Sequence, residues 1–243
     1  PDVKAILNEW DDLQSTSDNF NRIRDENVLG KSSRLRIEEI LTIFKQRYLV
    51  DASVFNSLVI MAQNGLRGQS LDRILYFNAT QSDPLLHDVV TKIIYSLYQD
   101  GRVDIFTNEV CNKIYEWVKK GRTSKPWSYP TTQRVTRGIL STLRDFGVLQ
   151  GEVKKRISPK YLPSDAFAFI AFQLYKKGLS GEQILSSHEW KLFLLASTGV
   201  ERFFIEAHQE DYLQYHAAGS VVRIEFLYEK IEEYAKYVVK RQN

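Results

Sequence analysis

Between residues 119 and 160 the chain carries eleven basic side chains against two acidic ones, Asp145 and Glu152. The basic set is Lys119, Lys120, Arg122, Lys125, Arg134, Arg137, Arg144, Lys154, Lys155, Arg156 and Lys160. This excess of nine positive charges sits in a chain whose formal net charge is only +3. Elsewhere the balance tips slightly acidic: eight basic against nine acidic over 1–50, five against eight over 51–118, nine against eleven over 161–243. Such concentration is the electrostatic footprint of a polyanionic partner.

The residue types inside the segment suit duplex DNA. In Tyr129-Pro-Thr-Thr-Gln-Arg134 the hydroxyls of Thr131 and Thr132 can bond phosphate. Gln133 can pair bidentately with adenine and Arg134 with guanine. Arg137 follows at i+3, and Lys125, Lys154, Lys155 and Arg156 supply backbone contacts. A second cluster, Lys31, Ser32, Ser33, Arg34 and Arg36, crowds the start of another expected helix, where free N–H groups and the helix dipole favour a phosphate. The plain alternative is a solvated basic surface over a helix whose Val135, Ile139, Leu140 and Leu143 fill a core.

Catalytic chemistry finds little support. His87, His188, His208 and His216 lack metal-ligand spacing and a cysteine partner. Gly65-Leu-Arg-Gly68 lacks the phosphate-cradling pattern, and the adjacent pairs Asp11-Asp12 and Glu38-Glu39 point in different directions on a helix. No catalytic site, cofactor, metal or small-molecule substrate is expected.

Positioning those cations requires helices, and the hydrophobic period is helical almost throughout. Leu35, Ile37, Ile40, Leu41, Phe44 and Tyr48 form one stripe. Asp18–Leu29, a Gly30 turn and Ser33–Tyr48 give a helix-turn-helix candidate at 18–48. Helices are further predicted over Val54–Ala62, from Ser70, which reads as a cap, and after Ser82-Asp83-Pro84. Another runs from Thr107 or Asn108 to Val118, and one more over Thr131–Phe146. From Gly147 the period changes, and Val148, Leu149, Gly151, Val153, Arg156 and Ile157 fit two strands about a turn, ending before Pro159. Beyond Pro163, helices are predicted at 164–177, 181–185, 188–197, 200–215 and 224–240.

The reading is therefore an all-α, multi-helix globular protein with helix-turn-helix elements and one short β-hairpin wing near 148–157. It divides into a helical domain at 1–100, a basic winged-helix-like segment at 101–162 and a helical domain at 163–243. Helix, turn, basic helix and basic hairpin follow one another over 107–158, the order of a winged helix-turn-helix.

Bulk composition agrees with a globular protein: 43% hydrophobic and 26% charged residues. The single cysteine, Cys111, excludes an internal disulfide and favours a reducing, cytoplasmic setting. The apolar runs at 166–172 and 190–196 fall short of the roughly 20 residues that span a bilayer. Pro1 opens the chain without an initiator methionine, which leaves room for a longer native N-terminus.

Several blocks carry a family resemblance: Arg73-Ile-Leu-Tyr-Phe-Asn78 with Ser82-Asp-Pro-Leu-Leu86, Arg134-Val-Thr-Arg-Gly-Ile-Leu-Ser-Thr-Leu-Arg-Asp-Phe-Gly147, Ser187-His-Glu-Trp190, Val200-Glu-Arg-Phe-Phe204, Glu206-Ala-His-Gln209, and Tyr215-His-Ala-Ala-Gly-Ser-Val-Val-Arg-Ile224. In these the chain resembles the BrxA family of BREX (bacteriophage exclusion) phage-defence systems. The resemblance implies an all-helical fold with helix-turn-helix elements, binding to double-stranded DNA, and a role beside other BREX components, a methyltransferase and ATPases among them. It points to the Lys31–Arg36 turn and the Thr131–Arg137 helix as DNA-facing. Members have been labelled inner-membrane proteins, a label the hydropathy here opposes. The competing expectation is a helical scaffold whose basic face docks an acidic protein partner or RNA.

Overall fold

The computed structural model describes residues 2–66, 68–123, 125–158, 161–219 and 221–242. Lys160 of the basic segment, Arg67 of the Gly65–Gly68 turn and Pro159 lie outside the described residues.

Five helices open the chain: α1 (Asp2–Asn8), α2 (Thr16–Asp25), α3 (Arg34–Tyr48), α4 (Ala52–Gln63) and α5 (Gln69–Ser82). Their starts follow local chemistry. Ser15 caps α2, its Oγ accepting the Asp18 N–H at 3.1 Å, and Asp51 caps α4 by accepting the Val54 N–H at 2.9 Å. Gln63 satisfies orphan carbonyls at the end of α1, its Nε2 donating to Leu7 O at 3.2 Å and Trp10 O at 2.7 Å. Trp10 packs edge-on against Phe20 and Phe55, with ring centroids 5.9 and 4.8 Å apart. Ser70 is not the cap its sequence position suggests. It lies buried one residue inside α5, and its hydroxyl donates to the buried Asp165 carboxylate at 2.8 Å.

The helix α6 (Pro84–Asp88), capped by Asp83, runs through a π-helical stretch, Val89–Ile94, into α7 (Tyr95–Gln99). Strand β1 (Asp104–Ile105) precedes α8 (Thr107–Lys119) and α9 (Tyr129–Asp145), and β2 (Leu149–Gln150) and β3 (Lys155–Ile157) follow. The three strands pair antiparallel in the order β1-β3-β2, with Asp104 opposite Arg156 and Leu149 opposite Ile157. The expected hairpin is therefore present, and it recruits a third strand that the sequence reading missed.

The remaining elements are α10 (Ser164–Lys176), α11 (Gly181–Leu185), a 3₁₀ turn at His188–Phe193, α12 (Ser197–Gln209), β4 (Gln214–Ala218), β5 (Val221–Glu225) and α13 (Ile231–Gln242). Three expected helices need correction here: 188–197 holds only the 3₁₀ turn His188–Phe193 before α12 opens at Ser197. The segment 200–215 leaves the helix at Gln209, and 224–240 becomes helical only at Ile231, because β4 and β5 pair as a hairpin with Tyr215 opposite Ile224. That pairing buries Tyr215 and Ile224 and leaves His216 and Arg223 exposed, a period of two. Gly181 is required beside it, since a Cβ there would lie 2.4 Å from the Val222 carbonyl oxygen.

Helices dominate, with two small antiparallel sheets, and no described helix is long and apolar enough to cross a membrane. Contacts group the chain into two compact units rather than three consecutive segments. The first comprises 1–82, 163–184 and 204–243; the second comprises 83–162 and 185–203. Long-range packing explains the difference. In the first unit α10, buried from Ser164 to Leu174, brings Phe167 onto Phe204 (4.7 Å between centroids) and Phe172 onto Tyr234 and Phe226 (4.6 and 4.8 Å). In the second, His87 Nε2 lies 3.2 Å from Glu189 Oε1.

Phe172→Ala is expected to lower stability by about 3–5 kcal/mol, read by urea unfolding, because it empties the centre of the aromatic cluster. A pH effect follows from His87. Its hydrogen bond to Glu189 raises its pKa above 6.5, against the lowering effect of partial burial. The pairing thus stabilises fully below that ordinary value and is lost as pH rises through the raised one. Melting temperature should fall as pH rises from about 6 through that point, and Glu189→Gln should flatten the fall.

Candidate nucleic-acid interface

Helix α9 is built from both sides. Ser128 precedes it, with its Oγ accepting the Thr131 N–H at 3.4 Å, and Pro130 occupies its first turn. Tyr129 fastens that turn to α8: its hydroxyl donates to Asn112 Oδ1 at 3.2 Å, and its ring meets Tyr115 edge-on at 5.2 Å. Thr132, Thr136, Ile139, Leu140 and Leu143 form the buried face. Arg134 and Arg137, three residues apart, therefore share the exposed face together with Gly138.

Charge pairing decides which cations remain available. Lys120, Arg122, Lys125, Arg134, Arg137 and Lys154 are exposed and make no ion pair, side-chain hydrogen bond or ring contact among the described residues. Lys119 places its ammonium 4.7 Å from the Tyr115 ring centroid, and Lys155 donates to the Glu152 carbonyl at 3.0 Å. Arg144 pairs with its neighbour Asp145 at 3.3 Å.

One expected contact needs correction. Thr132 is fully buried and its Oγ1 donates to the Ser128 carbonyl at 3.1 Å, so it packs α9 into the core and cannot reach a phosphate. Arg156 is exposed like Lys154 but, unlike it, is ion-paired. Consecutive strand residues face opposite sides, and Arg156 Nε bonds Asp104 Oδ1 at 2.9 Å across the β1–β3 ladder. Thr131 and Gln133 are half-buried at the start of α9, and the Thr131 hydroxyl lies 3.0 Å from Ser128 Oγ. Lys120 and Arg122 were visible only as charge in the sequence. Their place just past α8, around the left-handed Gly121, brings them into the loop that leads to α9.

The cluster at 31–36 differs in its electrostatics. Lys31 pairs with Asp2 at 2.8 Å, and Arg36 pairs with Glu39 at 2.9 Å. Arg24 bonds Glu38, which lowers that carboxylate's pKa through the hydrogen bond. Ser32, Ser33 and Arg34 are exposed. Ser33 precedes α3 without a side-chain cap bond, and Arg34 alone of the three cations in this cluster lacks an ion pair. This turn belongs to the first compact unit, whereas α8, α9 and the β2–β3 hairpin belong to the second.

Near the start of α8, Arg102 grips Glu109 with two bonds of 2.8 Å and holds its carboxyl below the ordinary value. At the hairpin tip Gly151 has φ +87°, and a Cβ there would lie 2.1 Å from the Lys154 carbonyl oxygen. Gly151→Ala is therefore expected to lower stability by more than about 1 kcal/mol and to displace Lys154. Thermal unfolding and the amide chemical shifts of 149–157 would check both effects.

Residues 1–173 match the family model BrxA, a span that contains both basic clusters, while the blocks from Ser187 to Ile224 lie beyond it. No curated protein and no solved structure gives a match to the chain. With 173 of 243 residues matched, the chain belongs to the BrxA family and so to the components of BREX phage defence.

Proposed function

We propose that this chain binds double-stranded DNA through the exposed face of α9 and the β2–β3 hairpin, acting in BREX defence without a catalytic site of its own. The observation that carries the reading is the pair Arg134 and Arg137, exposed on one face of a helix and free of any carboxylate among the described residues. An α-helix about 10–12 Å across fits the major groove, which is about 12 Å wide. The succession of α6–α7, β1, α8, α9 and a hairpin, with strand order β1-β3-β2, supports a winged helix-turn-helix reading in which α9 enters the groove.

Gly138 adds a second support. It lies mid-helix on the exposed side, and a Cβ there would meet nothing within 4 Å. Packing therefore does not demand glycine, which costs a helix interior about 0.5–1 kcal/mol relative to alanine. Close approach of a phosphate backbone would account for it.

The six unpaired cations set a scale. If each neutralises a phosphate, affinity should fall about 10³-fold between roughly 50 and 200 mM salt. Arg134→Ala should relax sequence preference by about 1–3 kcal/mol if it reads a guanine. Lys154→Ala should weaken all sequences alike and reduce the salt slope by about one. Gly138→Ala should raise stability yet weaken binding. Fluorescence anisotropy with duplex DNA, single strands and RNA checks these outcomes. A flat salt response, or indifference to duplex DNA beside tight RNA or acidic-protein binding, would overturn the proposal.

A further inference from the structure

Within the first compact unit, residues of α3, α4, α5 and α10 line a cavity of about 250 Å³. Tyr48 and Leu58 give it an apolar wall. Two side-chain amides, Asn78 and Gln173, line it while only 6% and 5% exposed. Asn78 Nδ2 donates to the Ile74 carbonyl at 2.8 Å, and its oxygen makes no hydrogen bond among the described residues. The Gln173 Nε2 is buried without a hydrogen-bond partner among the described residues. Lys177 stands at the exposed rim, its ammonium 2.6 Å from Gln81 Oε1, and Arg47 is half-buried there. The rim carboxylate of Asp51 is engaged in capping α4.

An unpaired buried amide carries the full desolvation cost of its polar atoms, so its presence calls for a partner. We propose that this cavity binds a nucleoside monophosphate, its base edge against Gln173 and Asn78 and its phosphate against Lys177 and Arg47. A glutamine or asparagine amide offers donor and acceptor side by side, the pattern that pairs bidentately with a purine edge. Lysine and arginine at the rim supply charge-assisted bonds to a phosphate. The volume lies below the roughly 300–1,000 Å³ of drug-sized pockets, which leaves room inside for the base alone, with ribose and phosphate at the rim. This site is independent of the DNA reading, since α9 and the hairpin belong to the other unit.

Isothermal titration of the full chain with AMP, GMP, CMP, UMP and inorganic phosphate tests the proposal. At least one nucleotide should bind, about tenfold or more tighter than phosphate. Lys177→Ala should weaken it by about tenfold or more, the usual effect of losing a hydrogen bond to a charged group. Gln173→Leu should abolish the advantage of the nucleotide over phosphate while the melting temperature stays level or rises, because Nε2 has no bond to lose. The proposal is overturned if no nucleotide binds at millimolar concentration, or if phosphate binds as well as every nucleotide. A drop in melting temperature in Gln173→Leu with unchanged nucleotide affinity would overturn it too, by showing that the amide serves the fold. Both variants should bind duplex DNA as the parent does, and a parallel loss in both would overturn the assignment to a separate site.

Discussion

The interaction on which the rest depends is the burial of one side of α9. Ile139, Leu140 and Leu143, with the methyl-bearing Thr132 and Thr136, fix the rotation of the helix about its own axis. That rotation alone puts Arg134 and Arg137 outward together. The fold gives up little by leaving them unpaired, because an exposed ion pair contributes only about 0–1 kcal/mol. Repulsion among such cations is screened over about 8–10 Å at ordinary ionic strength. The charge density is thus available to a partner at small cost to stability.

The two helix pairs show how local pattern and electrostatics separate. Each has a helix, a glycine-bearing or proline-bearing connection, and a second helix with cations near its start. At 31–36, Asp2, Glu38 and Glu39 lie close enough to engage Lys31, Arg24 and Arg36. A phosphate there would have to displace carboxylates one by one. At 119–154 six cations face no such competition. The difference lies in which acids the tertiary fold brings near, a quantity that the order of elements does not contain.

This explains what was legible in the sequence. Helix starts were readable where the signal is local, as at Ser82-Asp83-Pro84. The β2–β3 hairpin was readable because Gly147 and Gly151 interrupt a helical period. Strand β1 was not, since two residues become a strand only when β3, fifty residues later, pairs with them. The burial of Thr132 was equally hidden, for a threonine in a first turn suits a phosphate or a core. Arg156 reads as a free cation until Asp104, 52 residues away, is placed beside it. The β4–β5 hairpin escaped because Ala217-Ala218-Gly219 gives a weak turn signal and its flanks also fit a helical stripe.

The discontinuous first unit bears on what the family match covers. Residues 83–162 leave and return to it as one stretch, and the entropic cost of closing a loop grows by only about 0.6 kcal/mol per doubling of its length. An insertion of that size is tolerable where it builds contacts of its own, as the β1-β3-β2 sheet and the α8–α9 pair do, and 185–203 completes the same unit. The matched span ends at Gln173, inside α10, the helix whose phenylalanines meet Phe204, Phe226 and Tyr234 from beyond it. The proposed DNA face thus lies wholly within the family's shared span, whereas closure of the aromatic core depends on residues outside it. Substitutions among those later residues would then act on the stability of the first unit and leave the charge pattern of α9 untouched.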